Sequence, residues 1–287
     1  MEFRGLIVVA MLVTAGCTAQ DAPPEPAAPA PTTPPASTPA ATKPPASTPA
    51  MPGAASLKIT GWWAWALLDR RTGRITGSPN HGSQTSTTES MIKAWLAADY
   101  LAGREPTGQG LGDYARDRIR NALRVSDDAA AEWLYRSRGG DAAIRRMINT
   151  CRLTGTSVQP GNWALTRITA RDAARLGGCL ADGTASGPRW RDWLLWEMRQ
   201  IAPSNAFGIR QAFPPEVAGR IAVKNGWTPR SDTGLWHVNC LGLWDHWSLA
   251  VLVRYPIRLG LGYGAAACRD VAGQLFSRSG RTGSPAG

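Results

Sequence analysis

Strand-like segments stand near both ends of this 287-residue chain, and the residues between them have helical patterns. Residues 62–69 (WWAWALLD) are apolar and β-prone, and the turn residues 71–74 lead into a return strand that starts at Ile75. Three later strands and a final helix are predicted at 221–224, 235–241, 247–253 and 263–275. We therefore predict an α+β fold, in which an antiparallel sheet built from both chain ends is flanked by helices and joined by an all-helical lobe.

The N-terminal 55 residues lack the apolar patterning of a core. Residues 1–17 have a charged start, an apolar run and small residues before Cys17, which is typical of an export signal. The end of this segment, Ala15-Gly16-Cys17, resembles the cleavage site of bacterial lipoproteins, in which the cysteine is lipidated. An ordinary cleaved signal with a chance cysteine is the alternative.

Three further segments follow residues 1–17. Residues 18–55 form a Pro/Ala/Thr-rich linker, in which Pro-Pro-Ala-Ser-Thr-Pro-Ala occurs twice. Residues 56–277 form the folded domain, and 278–287 form a flexible tail. We expect an exported monomer that is anchored by the lipid on Cys17 to the outer face of the cytoplasmic membrane and has no other membrane contact.

The formal net charge is +11, and the arginines are scattered instead of clustered. We find no nucleic-acid-binding motif and expect no nucleic-acid partner. The basic field favours anionic lipid heads, cell-wall polymers or a carboxylate-bearing substrate. The thirteen tryptophans are expected to serve packing more than sugar binding.

Cysteine and histidine usage bears on disulfides and metals. Besides Cys17, the chain has an even set of four cysteines, which in an exported protein predicts two disulfides: Cys151, Cys179, Cys240 and Cys268. Three pairings are possible, and we favour 151 with 179 and 240 with 268, since these join neighbouring elements. The three histidines lack metal-ligand spacing, so we expect neither a metal nor a cofactor.

A candidate nucleophile stands at the start of a predicted helix over residues 86–101. Ser90 and Lys93 are three residues apart, so their side chains lie on one side of the helix. A serine at a helix N-terminus has free backbone N–H groups beside its hydroxyl, and a lysine one turn on can accept its proton. This pair is the minimum equipment of a serine acyl enzyme, and two exposed helix residues are the alternative.

Two further motifs follow in order. Ser126-Asp127-Asp128 precedes a short helix, and Lys224-Asn225-Gly226 begins at the last residue of the strand predicted at 221–224. Taken singly, Ser126 could be a helix N-cap, and Lys224-Asn225-Gly226 could be a hairpin turn with a solvated lysine.

Together with Ser90-Met91-Ile92-Lys93, these motifs resemble the S-x-x-K, S-D-N and K-T-G elements of the penicillin-binding-protein and class A β-lactamase superfamily. The resemblance covers essentially all of 57–276, and the chain looks most like a group of actinobacterial β-lactamase-like lipoproteins.

The chemistry of the residues and the resemblance together imply roles. Ser90 attacks an acyl carbon, Lys93 accepts its proton, and Ser126 relays a proton to the leaving amine. The substrate-binding residues would be Asp128, Lys224, Asn225, Gly226 and Trp227.

Within this set, Lys224 would lower the pKa of Lys93 and hold a substrate carboxylate. The resemblance also implies an oxyanion hole made of the backbone N–H groups of Ser90 and Trp227. Asp127 would be structural, bonding loop backbone across the lobes.

Two departures from the family pattern bear on turnover. Asp128 replaces the usual Asn, and its carboxylate could pair with Lys93 and keep that lysine charged. Residues 157–167 contain no Glu or Asp, although class A enzymes use a Glu in this loop to activate water.

We therefore expect a serine hydrolase that acts on peptidoglycan stem peptides or related amides, with poor β-lactam turnover. The alternative is a catalytically degenerate binding or scaffold lipoprotein of the cell envelope.

Overall fold

The computed structural model describes residues 55–108 and 110–276. The predicted signal segment with Cys17, the linker up to residue 54 and the tail 278–287 lie outside the described residues. No helix within the described ranges combines the length and the apolar character needed to cross a membrane.

The described residues form seven strands and eight α-helices, with short 3₁₀ turns and the π-helical turn Asn121–Val125 between them. The strands are β1 Trp62–Asp69, β2 Ile75–Gly77, β3 Thr85–Thr87, β4 Arg167–Thr169, β5 Ala222–Arg230, β6 Leu235–Trp244 and β7 Trp247–Pro256. The helices are α1 Lys93–Ala102, α2 Asp113–Arg120, α3 Asp128–Ser137, α4 Asp141–Thr150, α5 Ala170–Ala181, α6 Pro188–Arg199, α7 Pro215–Ala218 and α8 Gly260–Phe276.

The main sheet is antiparallel and joins the two ends of the described chain. Its strand order is β2-β1-β7-β6-β5, so the first strand lies beside the last. Trp62 of β1 pairs with Arg254 of β7, and the register continues to Asp69 opposite Trp247. β3 and β4 form a separate two-stranded sheet. The predicted α+β architecture is confirmed.

Both faces of the central strands are buried, and alternate residues enter different clusters. In β7, Val251 and Val253 pack with α8 residues such as Val271, whereas Ala250 and Leu252 belong to the cluster that contains α1 and α5. Because successive side chains of a strand point to opposite faces, one apolar strand supplies two cores. Helices therefore cover the sheet on both sides.

α1 is the central helix of the core cluster that also contains α5 and, from β7, Ala250 and Leu252. Its residues from Lys93 to Leu101 are all buried, including the large side chain of Trp95. The periodicity of the sequence predicts one apolar face, whereas the helix is buried on every face and packs against α3, α4, α5 and α6. Lys93 is thus not an exposed helix residue.

The structure forms the two disulfides that we favoured, Cys151–Cys179 and Cys240–Cys268. Both span 28 residues, so loop-closure entropy predicts the same stabilisation, about 3.5 kcal/mol each. Cys240 and Cys268 are fully buried in the core, whereas Cys151 and Cys179 are slightly exposed.

Paired Cys-to-Ala substitutions at each bridge are therefore expected to lower the free energy of unfolding by about 3–5 kcal/mol, with the larger loss at Cys240–Cys268. Urea denaturation of the two double variants measures the difference. A larger loss at Cys151–Cys179 would contradict the contribution of core packing.

Candidate active site

Ser90 lies in a 3₁₀ turn, Glu89–Ile92, directly before α1. Thr88, the residue before this turn, has helical dihedral angles and makes no side-chain capping bond. Its hydroxyl instead donates to the carbonyl oxygens of Trp163 and Ala164. These bonds tie the turn to the 157–167 loop. Ser90, within the turn, is half-buried.

Asn239 of β6 holds the same turn from the sheet side. Its Nδ2 donates to Thr87 O at 2.7 Å and Thr88 O at 3.1 Å, and the residue is fully buried. Sequence reasoning did not assign this residue a role, because its partners are 151 and 152 positions away.

Two buried lysines meet at the hydroxyl of Ser126. Lys224 Nζ donates to Ser126 Oγ at 2.9 Å, and Lys93 Nζ donates to the same oxygen at 3.3 Å. Lys93 also donates to the carbonyl oxygen of Ser126. The backbone of Ser126 is left-handed, with φ 61°. Both lysines are inaccessible to solvent. The structure therefore brings the side chains of Lys93, Ser126 and Lys224 together.

Burial makes it easier for both lysines to lose their protons. Desolvation lowers the pKa of Lys93, although its hydrogen bond and ion pair with Asp128 act in the opposite direction. Desolvation also lowers the pKa of Lys224 well below its ordinary value, and the positive charge of Lys93 adds to this effect. Each of the two lysines therefore loses its proton more readily than a solvent-exposed lysine does.

Asp128 pairs with Lys93 in this structure. Lys93 Nζ lies 2.5 Å from Asp128 Oδ1, and the Asp128 side chain is 81% exposed whereas that of Lys93 is 0% exposed. None of the hydrogen bonds of Lys93 Nζ within the described residues goes to Ser90 Oγ. The hydrogen bonds of the lysine are therefore directed to Ser126 and Asp128.

Asp127 has a local role. Its Oδ1 accepts the backbone N–H of Ala130 at 2.6 Å, which makes Asp127 the N-cap of α3. The expected bond across the lobes is wrong, because the carboxylate is directed into the first turn of its own helix. Ser126 precedes this cap, so it is not the N-cap either.

The Lys224-Asn225-Gly226 motif lies inside β5 and is not a hairpin turn. Because side chains alternate along a strand, Asn225 faces away from Ser126, and its Nδ2 donates to Asn205 O and Phe207 O at 2.9 Å each. The expected contact of Asn225 with substrate is wrong. Its side chain fastens β5 to the preceding loop.

Gly226 and Lys224 also differ from expectation. A Cβ on Gly226 would lie 2.5 Å from Thr88 O and 2.8 Å from Ser90 N, so this glycine permits β5 to approach the Ser90 turn. Lys224 is fully buried and donates to Ser126 Oγ and Asn225 O, so in this structure it is not presented to a substrate carboxylate.

The four motif residues Ser90, Ser126, Asp128 and Trp227 line one cleft with a volume of ≈ 600 Å³. Trp227 is half-buried and packs edge-on against Phe207, with ring centroids 5.3 Å apart. The structure therefore brings a nucleophile candidate and its expected neighbours to a shared opening.

The 157–167 loop forms one wall of this cleft without supplying an acid. It contributes residues 161–164, of which Trp163 also lies under Lys93 Nζ, 5.3 Å from the ring centroid. The carboxylates that line the cleft come from other elements: Glu89, Asp128 and Glu132. The sequence patterns assign no role to Glu89 or Glu132.

Glu89 is a buried carboxylate beside the nucleophile candidate. It accepts from the hydroxyls of Thr87 at 2.6 Å and Thr228 at 2.8 Å, and Arg230 Nε lies 3.4 Å away. Its backbone has φ 47°, which is uncommon for a residue with a side chain. These bonds hold the strained residue that sets the direction of Ser90.

Glu132 connects α3 to the opposite wall. Trp163 Nε1 donates to its Oε2 at 3.0 Å, and Arg136 Nε donates to its Oε1 at 2.5 Å. Both carboxylate oxygens therefore have partners, and the residue fixes the loop. Within the described residues, no cluster of three His, Cys, Asp or Glu side chains could hold a metal ion.

His237 lies next to this network and should make stability depend on pH. Thr87 Oγ1 is 2.6 Å from His237 Nδ1, and burial, with Arg254 and Arg230 nearby, lowers the pKa of His237 to about 4 from 6.5. Between these values the unfolded chain binds the proton and the folded chain does not, so stability falls as the pH drops from 6.5 to 4, by up to about 3 kcal/mol from this group.

Urea denaturation at several pH values in this window tests the effect. His237→Gln should flatten the dependence, whereas His81→Gln, outside the network, should leave it unchanged. Equal pH dependence in His237→Gln and the wild type would exclude this assignment.

The model of the β-lactamase enzyme family matches residues 107–237, a segment that includes Ser126 and Lys224 and begins after Ser90. The proteins named "Putative lipoprotein LppW" of Mycobacterium bovis and Mycobacterium tuberculosis are 29% identical over 193 residues, which are 65% of this chain and 58% of theirs. This chain therefore matches less than two thirds of the length of those relatives.

Solved structures agree on the fold. The TLA-1 extended-spectrum β-lactamase has a TM-score of 0.65 at 14% identity, covering 76% of this chain and 92% of that one. A β-lactamase from Xanthomonas campestris has a TM-score of 0.59 at 17% identity, covering 76% and 91%. An ancestral class A β-lactamase has a TM-score of 0.57 at 20% identity, covering 75% and 93%.

The order of the three motifs, the family model matched over residues 107–237 and the shared α+β fold agree with one another: the described residues have the class A β-lactamase fold, and segment 107–237 is similar to the β-lactamase enzyme family.

Proposed function

We propose that this protein is an exported, lipid-anchored serine hydrolase that forms an acyl-enzyme on Ser90. The observation that carries the proposal is the position of Ser126 Oγ, which accepts from two solvent-inaccessible lysines at the floor of the cleft that Ser90 lines. Buried lysines with lowered pKa values are suited to proton transfer at neutral pH.

The proposed reaction starts with attack of Ser90 Oγ on an acyl carbon, and its proton passes to a neutral Lys93. The carbonyl oxygen becomes an oxyanion, which the backbone N–H groups of Ser90 and Trp227 would stabilise, as in the superfamily. Collapse of this intermediate breaks the C–N bond, and the leaving amine takes a proton from Lys93 through Ser126. Water then hydrolyses the ester and restores Ser90.

Peptidoglycan stem peptides or related amides are the substrate class that we propose, since they are the amides an exported protein meets at the cell surface. We expect slow turnover of β-lactams because the 157–167 loop offers no acid to activate water. Of the other carboxylates in the cleft, Glu89 and Glu132 are occupied by hydrogen bonds.

A lipid on Cys17 is the proposed anchor, and the lipoprotein name of the Mycobacterium relatives supports it. The anchored protein would act as a monomer with no nucleic-acid partner. Cys17→Ala should move the protein from the membrane fraction to the soluble exported fraction. Equal membrane association of the variant and the wild type would contradict a lipid anchor at this residue.

One observation favours a second candidate, a cell-envelope binding or scaffold protein without turnover. The ion pair at 2.5 Å between Lys93 and Asp128 stabilises the charged lysine, which cannot accept a proton. A carboxylate at this position could therefore have removed the activity and retained the fold.

Covalent labelling decides between the two candidates. The full exported domain is incubated with a fluorophosphonate or a reactive penicillin, and the mass of the intact protein is measured over time. We expect one adduct per chain in the wild type and none in Ser90→Ala. Absence of an adduct with every acylating or phosphonylating probe would reject the serine hydrolase and favour the binding protein.

A further inference from the structure

The cleft is acidic although the chain is strongly basic. The charged residues that line it are Glu89, Asp128 and Glu132, and no Lys or Arg belongs to the lining within the described residues. Lys93 and Lys224 lie behind this surface and are inaccessible to solvent. A ligand in the cleft therefore meets carboxylates first.

Asp128 is the carboxylate that remains available. Glu89 receives two hydroxyl donors, and both oxygens of Glu132 are engaged by side chains. At Asp128, the hydrogen bond from the described residues goes to Oδ1, whereas the side chain as a whole is 81% exposed. Its Oδ2 is thus the free acceptor next to Ser90 and Ser126.

An ionised carboxylate accepts hydrogen bonds and cannot donate them. It would repel the carbonyl oxygen that an amide side chain at this position could bind, and it would attract a cationic donor. Charge-assisted hydrogen bonds are about twice as strong as neutral ones, so the sign of the ligand charge should decide affinity here.

We propose that Asp128 selects acyl donors that carry a free ammonium group near the scissile carbonyl, such as peptides with an unblocked amine. This inference rests on the proposed function, because it names the substrate class of the same cleft. The ammonium group of the substrate, instead of the carboxylate expected to bind Lys224, would then be its main recognition group.

Recognition and activation would then be coupled. The same carboxylate stabilises the positive charge of Lys93, so an incoming ammonium competes with Lys93 for Asp128. Once Asp128 pairs with the ligand, Lys93 loses part of that stabilisation, and its proton passes to solvent more easily. The neutral amine that remains can accept the proton of Ser90.

Ampicillin and benzylpenicillin provide a matched pair of probes, since they share the ring system and its carboxylate and differ by one amino group. Binding is measured calorimetrically with the Ser90→Ala protein, which cannot be acylated, at about pH 6.5, where the amine is charged. We expect ampicillin to bind about tenfold more tightly than benzylpenicillin, and added salt should weaken the preference.

The second measurement removes the carboxylate. In Ser90→Ala/Asp128→Asn, the affinity ratio should fall to about one. Asp192→Asn in place of Asp128→Asn is the matched control, because Asp192 is also 81% exposed and paired with a cation, Arg191, but does not line the cleft. That control should retain the preference for ampicillin.

Equal affinities for the two penicillins, no binding of either, or a preference that survives Asp128→Asn would overturn the proposal. None of these results depends on turnover, since Ser90 is absent from the protein that is titrated. Fluorophosphonate labelling of the wild type reports separately on the proposed hydrolase, so the failure of one proposal is distinguishable from the failure of the other.

Discussion

Replacing Lys93 with methionine is expected to slow acylation of Ser90 by about 10²–10⁴-fold, which is the contribution usual for a general base. The substitution removes the amine that would accept the serine proton, whereas Ser90, Ser126 and Lys224 stay in place. The time course of adduct formation, followed by intact mass, measures the loss.

The same substitution should leave the free energy of unfolding unchanged or raise it. Lys93 is fully buried, and exchanging a buried charge for an apolar side chain of similar volume is often neutral or stabilising. The partner left behind, Asp128, is largely exposed and can be solvated by water. Loss of activity without loss of stability would therefore separate a catalytic role from a structural one.

Lys58→Met is the control, since it removes an exposed lysine far along the chain from the site. We expect normal acylation in this variant. An unchanged acylation rate in Lys93→Met would show that another group, of which Lys224 is the nearest candidate through Ser126, activates the serine.

Gly226→Ala should damage both the site and the fold. The added Cβ would lie 2.5 Å from Met91 N and Thr88 O and 2.8 Å from Ser90 N. All three are backbone atoms that no side-chain rotation can move, so the Ser90 turn or β5 must shift. Overpacking of this kind typically costs about 1–3 kcal/mol.

A displacement of about 1 Å at Ser90 could lower acylation about 10²-fold, since catalysis depends closely on the position of the reacting atoms. The rate of fluorophosphonate labelling and urea denaturation measure the two effects in one preparation.

Gly262→Ala provides a matched control in α8. A Cβ at that position meets no atom within 4 Å, and alanine in a helix is favoured over glycine by about 0.5–1 kcal/mol. The two Gly-to-Ala substitutions should therefore change stability in opposite directions. Destabilisation by both, or by neither, would contradict the close approach of β5 to the Ser90 turn.

Asp128 connects these expectations to the question of turnover. As a partner of Lys93 it disfavours the neutral base, and as an exposed acceptor it can bind a cationic ligand. One carboxylate can thus lower activity toward neutral substrates and permit it toward substrates with an ammonium group. The scaffold and hydrolase proposals differ in whether any ligand relieves the pairing.

Some of the site was predictable because its chemistry is local in sequence. Ser90 and Lys93 are one helical turn apart. The order of the three motifs indicated the fold and three of the residues that line the cleft, Ser90, Ser126 and Asp128. The pairing of Asp128 with Lys93 was anticipated from charge alone. The disulfide pairing followed from the proximity of neighbouring elements.

Other features depend on contacts between distant segments. Asn225 appeared to be a substrate contact until the strand direction placed its amide on Asn205 and Phe207. Glu89 has no role in the sequence patterns, and only the fold brings Thr228 and Arg230 of β5 to its carboxylate. No local pattern encodes such partners, because they are more than a hundred positions away from Glu89.

The amino-acid sequence by itself determined the α+β class, the order of the motifs and the residue types available for acyl transfer, since periodicity and spacing express local geometry. Only the tertiary structure decided which side chains face the cleft. It buried both lysines behind Ser126, left Asp128 exposed and lined the opening with carboxylates. The physical reason is that burial and charge pairing depend on segments that come together only when the sheet joins the two ends of the chain.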